Sequence, residues 1–493
     1  MIRWRLLLLL TAVLLTPACQ SPAEDVIRLG IAGRPANLDP LHATDAASAR
    51  VNRLLYRSLV DFDAQQRPVP ELARWERLTP TRYRFHLDPE RAPFHDGAPL
   101  TAADVVATYR AVLDPATGSP HRGLLSLIGQ VSAVDADTVE FLLNRADRLF
   151  PGYLVIGIVP ARLLAQGHDF QRAPIGSGPL ELIERGGDGQ LRLRRRSDGQ
   201  QLAVQQVKDP TVRVLKLQRG ELDIIQNDLP AELIGYLDGR EDIRIERHRG
   251  ANFSYIGFNL EDAQTGDPRL RRAVAHAIDR AAIIEHLLAG AARPAGALLP
   301  PGHWAGHPEL DGVDYDPDRA RALLSELGYG PQRLLELSYK TSSDPLRLRI
   351  ATVFQDQLAR VGIRLRLQSY DWGTFYGDIK AGRFQLYSLM WVGIKTPDIF
   401  RHVFHSASLP PGGANRGRYR DAQTDAWIEA AEAAQTQTEQ VTYYRRIQAR
   451  LLETLPYVPL WYEDHVYAAR ADIRGYRLNL HGNYDGLLEV QRR

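Results

Sequence analysis

An α/β fold with two or three separate cores is what this sequence predicts, and three observations carry that prediction. Short strands of alternating apolar residues and amphipathic helices follow one another along the chain instead of segregating into blocks. Within this alternation, Leu335 to Leu367 reads strand, helix, strand at a length that suits a right-handed crossover in a sheet. Finally, 493 residues with 44% hydrophobic side chains exceed one core, at roughly 150 residues per domain.

The elements follow in order. Arg3 and Arg5 give the chain a positive start, Leu6 to Leu15 an apolar run, and Thr16, Pro17 and Ala18 a small-residue approach to Cys19. This is a secretory leader, too short for the ~20 apolar residues of a stable span. After a tether of Gln20 to Glu24, Val26 to Ile31 reads as the first strand. Tyr83, Phe85 and Leu87 alternate with polar neighbours, as do Val139, Phe141 and Leu143, so both segments are half-buried strands. Between them Thr101 and Asp104 form a capping box ahead of the apolar face of Val105, Val106 and Tyr109. Asp267-Pro268 starts a helix whose apolar positions run through Leu270, Ala273, Val274, Ala277 and Ile278, with Gly290 beyond Leu287-Leu288. Asp316-Pro317 starts another, buried through Ala320, Leu323, Leu324 and Leu327 and stopped at Gly328-Tyr329. The crossover then comprises Leu335-Leu337-Tyr339, a helix from about Leu346 to Arg360, and Ile363-Leu365-Leu367.

Composition excludes several functions. With the two leader arginines set aside, the chain holds 59 basic against 59 acidic residues, without the basic excess of a nucleic-acid binder. Cys19 is the only cysteine, so no intramolecular disulfide and no thiolate zinc cluster can form. None of the five lysines follows a glycine, which removes the phosphate-cradling loop of an ATPase. His-Glu-x-x-His and Gly-x-Ser-x-Gly are also missing. No enzymatic activity and no cofactor are expected. His402 and His405 can share one helical face and hold a metal, but without a nearby third ligand such a pair is more often solvated surface, and no metal site is expected.

Blocks spread along the chain carry a resemblance. They include Leu38-Asp39-Pro40, Leu55 to Val60, Pro70-Glu71-Leu72-Ala73, Tyr83 to Leu87, Ile175-Gly176-Ser177-Gly178-Pro179, Phe258-Asn259-Leu260 and Leu455 to Leu460. The most specific is Phe94-His95-Asp96-Gly97-Ala98-Pro99-Leu100-Thr101-Ala102-Ala103-Asp104-Val105-Val106. In this order the blocks resemble the extracytoplasmic solute-binding proteins of ABC importers, in the class of dipeptide, oligopeptide and nickel binders. The leader resembles a bacterial lipoprotein signal, in which Cys19 becomes the acylated first residue.

The resemblance implies a two-lobed clamshell with an extra subdomain in the first lobe. Residues 1–18 are then the signal peptide, 19–45 with 170–250 and 462–493 the first lobe, 46–169 the inserted subdomain and 251–461 the second lobe. It implies a monomeric receptor, held at a periplasmic membrane face by lipid on Cys19, that passes a peptide or small organic solute to an ABC permease with a separate ATPase. A sensor or chaperone on the same clamshell is the alternative. The ligand-binding residues it implies are Asn252, Tyr255, Arg349, Trp372, Trp391, Gly393 and Lys395, with Arg347 competing with Arg349 for a ligand carboxylate. Peptide binders carry an acid in the Trp391 loop for the ligand's amino terminus. Here Ile394, Lys395 and Thr396 occupy its place. Either another strand supplies the acid or the ligand lacks a free ammonium, and Lys395 either meets an anionic group or points into solvent.

Overall fold

Two antiparallel strands of unusual length, Ile243–Phe258 and Tyr457–Arg470, form the spine of the molecule. The computed structural model describes residues 26–187 and 189–493, so the leader, Cys19 and the tether lie outside the described residues. The spine is the centre of an eleven-stranded mixed sheet. At one end Ile243–His248 pairs with His465–Arg470, and the sheet continues through Ile224–Gln226, Val26–Ile31, Gln201–Gln206, Leu191–Arg195 and Leu180–Arg185. At the other end Phe253–Phe258 pairs with Leu386–Trp391, which leads to the parallel strands Leu335–Ser342 and Ile363–Tyr370. The chain therefore forms two lobes that share a sheet.

Pairing breaks between them. His248 faces His465 and Asn252 faces Glu463, so three residues, Arg249, Gly250 and Ala251, stand against Asp464 alone. Such a bulge bends the strand and loosens the ladder locally. Only glycine fits its middle, because a β carbon on Gly250 would lie 2.0 Å from the Glu463 carbonyl oxygen.

A separate four-stranded antiparallel sheet, in the order Ala73–Thr79, Arg82–Leu87, Thr138–Leu143, Ile128–Ala133, packs on the first lobe. The alternation read in its strands turns Tyr83, Phe85 and Leu87 inward. Phe85 and Tyr109 meet Phe141 edge to face at 5.4 and 5.3 Å. Helix Ala102–Leu113 closes over this core, its first turn fixed by Thr101 donating its N–H and hydroxyl to Asp104 at 2.8 and 2.9 Å.

The crossover is Leu335–Ser342, helix Pro345–Ala359 and Ile363–Tyr370, with Leu335 beside Ile363 in parallel register. Helix Pro317–Glu326 ends as expected, with Gly328 at φ +78° and the Tyr329 N–H reaching the Leu324 carbonyl at 2.9 Å. The apolar spacing from Leu270 to Ile278 does not lie on one helix. Pro268–His276 stops, and a second helix, Arg280–His286, starts because the Asp279 carboxylate accepts the Ala282 N–H at 2.9 Å.

Candidate ligand-binding cleft

The cleft begins with the helix Ala46–Leu55, capped by Asp45 accepting the Ser48 N–H at 2.8 Å. Ala46, Ala49, Arg50 and Arg53 recur at helical spacing and line a cavity of about 410 Å³. Facing them across the lobes is the loop after strand Leu386–Trp391, which contributes Val392, Gly393 and Lys395. Gly393 turns that loop at φ +69°. His303 holds it in place: its Nδ1 accepts the Ala305 N–H at 3.0 Å, so Nε2 carries the proton given to the Lys395 carbonyl at 3.1 Å. Burial drives the His303 pKa down to about 4, which keeps that ring neutral.

A second cavity of about 300 Å³ adjoins the first and shares Ala46, Arg50 and Val392 with it. Its floor is the spine itself, through Asn252, Glu463, Asp464 and His465. Arg347 enters from the second lobe and donates to Glu463 at 2.9 and 3.4 Å. Burial alone would raise Glu463, but the guanidinium overrides it and holds the carboxyl below its usual range.

The cleft is closed. Arg349 pairs with Glu232 of the first lobe at 2.7 Å, Arg145 with Glu432 at 3.0 Å, and Arg148 donates to the Gln435 carbonyl at 2.8 Å. Gly152, in the helical turn Phe150–Tyr153, packs so near Thr396 that an added β carbon would lie 2.9 Å from the Thr396 methyl.

Of the residues expected from sequence, Gly393 and Lys395 line the first cavity and Asn252 the second. Arg347 takes the interior position, and Arg349, half exposed, sits in the pair with Glu232. Three aromatics lie outside both cavities. Tyr255 is fully buried and stacks on Tyr457 at 3.9 Å. Trp372 is 59% exposed and stacks on Tyr376 at 5.4 Å. Trp391 carries the Arg416 guanidinium on its ring at 4.7 Å, because strand alternation aims Met390 and Val392 at the cleft and Trp391 away. His405 is buried with Nε2 3.3 Å from Glu429, and no cluster of three metal-ligating side chains occurs among the described residues.

Charge in the first cavity is unevenly matched. Asp61 is gripped by Arg53, which also binds Asp485, and Glu71 accepts from Arg57 and Ser58. Asp45 is spent on its helix cap. Arg50 donates to the His481 carbonyl at 3.3 Å, lies on the Tyr484 ring at 5.7 Å and acts on Asp228 from a distance, with no carboxylate within ion-pair distance among the described residues. The Lys395 ammonium has only the Phe62 ring at 5.1 Å, with no hydrogen bond or carboxylate within ion-pair distance among the described residues. Burial, and then the neighbouring Arg53, lower its pKa, although Asp61, Asp485 and Glu71 oppose them from a distance.

A family model described as bacterial extracellular solute-binding proteins, family 5, matches residues 67–408. This chain belongs to that family. Among curated relatives it is 28% identical to di/tripeptide-binding protein 2 of Pseudomonas aeruginosa, over 78% of each chain. It is 25% identical to the dipeptide-binding protein of Escherichia coli K12, over 95% of this chain and 94% of that one. Among solved structures, NikZ from Campylobacter jejuni in complex with Ni(L-His) superposes with a TM-score of 0.82 at 23% identity, over 95% of this chain and all of that one. This family 5 protein thus has the two-lobed α/β architecture of periplasmic binding proteins, expected from its sequence blocks.

Proposed function

We propose that this chain is an extracytoplasmic receptor that encloses a peptide or related organic solute between its lobes and delivers it to an ABC permease powered by a separate ATPase. The observation that carries this reading is the cavity of about 410 Å³, walled by Arg50 and Arg53 from one lobe and Gly393 and Lys395 from the other. The names of the relatives, which bind di- and tripeptides, support the substrate class. In this reading Asn252, Gly393 and Lys395 touch the ligand, while Tyr255, Arg349, Trp372 and Trp391 shape or close the cleft around it. The lobes divide at 250/251 and 461/462, a division the bulge at Arg249 to Ala251 supports. The receptor works as a monomer, without catalysis or cofactor.

Ligand that binds only the closed form stabilises the fold by RT ln(1+[L]/Kd), about 2.7 kcal/mol at a hundredfold excess. A hit from a thermal-shift screen of peptides and small solutes should therefore also shrink the radius of gyration in X-ray scattering, relative to ligand-free protein. A tight ligand that leaves the scattering of an open clamshell unchanged contradicts the reading. Lipid on Cys19 holds the receptor at the periplasmic membrane face. Cys19→Ser should move the protein from the membrane to the soluble fraction with its melting temperature unchanged, and a serine variant that stays on the membrane counts against the anchor.

A further inference from the structure

We infer that the solute is an organic anion without a free ammonium group, its charge taken between Arg50 of the first lobe and Lys395 of the second. The inference deepens the receptor reading and rests on it. The carboxylates lining this cavity, Asp45, Asp61 and Glu71, are already engaged within the protein, and Asp228 of the adjoining cavity faces three cations, Arg213, Arg50 and Arg347. Arg50 and Lys395 both line the cavity and both lack a carboxylate partner among the described residues. Relief inside the protein is only at a distance, from Asp61, Asp485 and Glu71 for Lys395 and from Asp228 for Arg50, and a charge withdrawn from water without an ion-pair partner is costly. His481 lies between the two: its backbone carbonyl accepts from Arg50, its ring is depressed toward neutrality by burial and by Lys395, and its Nδ1 is buried with no hydrogen-bond partner. A neutral imidazole there can donate to a carboxylate or phosphoryl oxygen.

The two cations come from opposite lobes. Closing the empty cleft brings Lys395 toward the cationic wall of Arg50 and Arg53, and Arg53 already acts on it, so an anion placed between the walls offsets like charge and favours the closed arrangement. A zwitterionic peptide brings an ammonium that meets the same two cations, whereas a ligand with that ammonium blocked or absent does not.

The test uses the small-molecule pool of a bacterial lysate, split by anion exchange into a retained, anionic fraction and a flow-through of neutral, zwitterionic and cationic solutes. Both are applied to the full chain by thermal shift. The retained fraction should raise the melting temperature and the flow-through should not. Arg50→Gln and Lys395→Gln, with unchanged circular dichroism, should each need at least tenfold more of that fraction for the same shift, and should scatter as more closed particles when ligand-free. Alkaline phosphatase treatment of the active fraction abolishes the shift for a phosphate ester and leaves it for a carboxylate. A shift from the flow-through that the variants do not weaken overturns the anion inference and keeps the receptor. The same holds for equal shifts from both fractions. Neither fraction acting counts against the receptor reading itself. If a variant fails to fold, the comparison of fractions on the unaltered protein still decides.

Discussion

At the scale of single residues, Arg347 and Glu463 make the sharpest commitment in the cleft. The guanidinium crosses from the second lobe to a carboxylate on the spine, and Trp461 and Ser254 also donate to that carboxylate at 3.3 and 3.0 Å. Removing the cation strands a buried acid. Arg347→Ala should cost about 3 kcal/mol in urea unfolding, and Glu463→Gln added to it should recover most of the loss, because breaking one side of a buried pair is worse than removing both. Sequence reading leaves Arg347 and Arg349 open because they lie two residues apart on a helix, and only the helix's rotation against the sheet decides which enters. The same limit explains Tyr255, Trp372 and Trp391. Each is an aromatic of the right type near the right loop, but side-chain direction depends on pairing with distant strands, as Phe253↔Trp391 and Tyr255↔Leu389 show.

At the scale of elements, the first helix of the cleft carries its sign in the sequence. Ala46, Ala49, Arg50 and Arg53 form a stripe of small and cationic residues at positions i, i+3, i+4 and i+7, opposite the buried Val51, Leu54 and Leu55. A cationic stripe beside apolar core positions is a recognisable sign of a helix facing a polar cavity. His303 carried no such sign, since its role rests on a contact with Lys395, 92 residues away. Contacts between elements of the two lobes give two predictions. Gly152→Ala places a methyl against Thr396 in the closed form only, so it should weaken solute binding several-fold while leaving the ligand-free melting temperature nearly unchanged. Isothermal titration on the two proteins checks this.

The second concerns acids gathered where the lobes meet. Burial raises Asp398 to about 7 and Asp147 to about 6, and each also faces Glu432, with Arg145, Arg401, Tyr153 and Tyr444 around them. Both values exceed the ~3.9 of an unfolded aspartate, so the folded chain binds more protons between pH 4 and 7. Their contribution therefore favours folding at low pH and is lost as pH rises through the folded values. Neutral buried His303 and His465, each near 4, act in the opposite sense below pH 6.5. Comparing Asp398→Asn with the unaltered protein cancels the histidines. The stability of Asp398→Asn relative to the parent should climb from pH 5 to pH 8, and a difference flat across that range contradicts the assignment.

At the scale of the whole molecule, the alternation of strands and helices, the crossover and the capped helices were all readable, because periodicity and caps are local. The single sheet that runs through both lobes was not. It depends on Ile243–Phe258 meeting Tyr457–Arg470 about two hundred residues later, a pairing that no window of sequence contains. The spine also supplies the floor of the second cavity through Asn252, Glu463, Asp464 and His465, on either side of the bulge. The break in pairing thus lies directly beside the floor of the second cavity: Asp464 stands opposite the bulge, and Asn252 and Glu463 border it. In the proposed receptor a solute walled in by both lobes leaves only after they separate, and a spine that bends at its loosened ladder then sets the residence time. Two ligands of very different affinity in that proposed receptor then share one upper limit on their rate of release, and a substitution at Asn252, which borders the bulge, should alter the timing of release as well as selectivity.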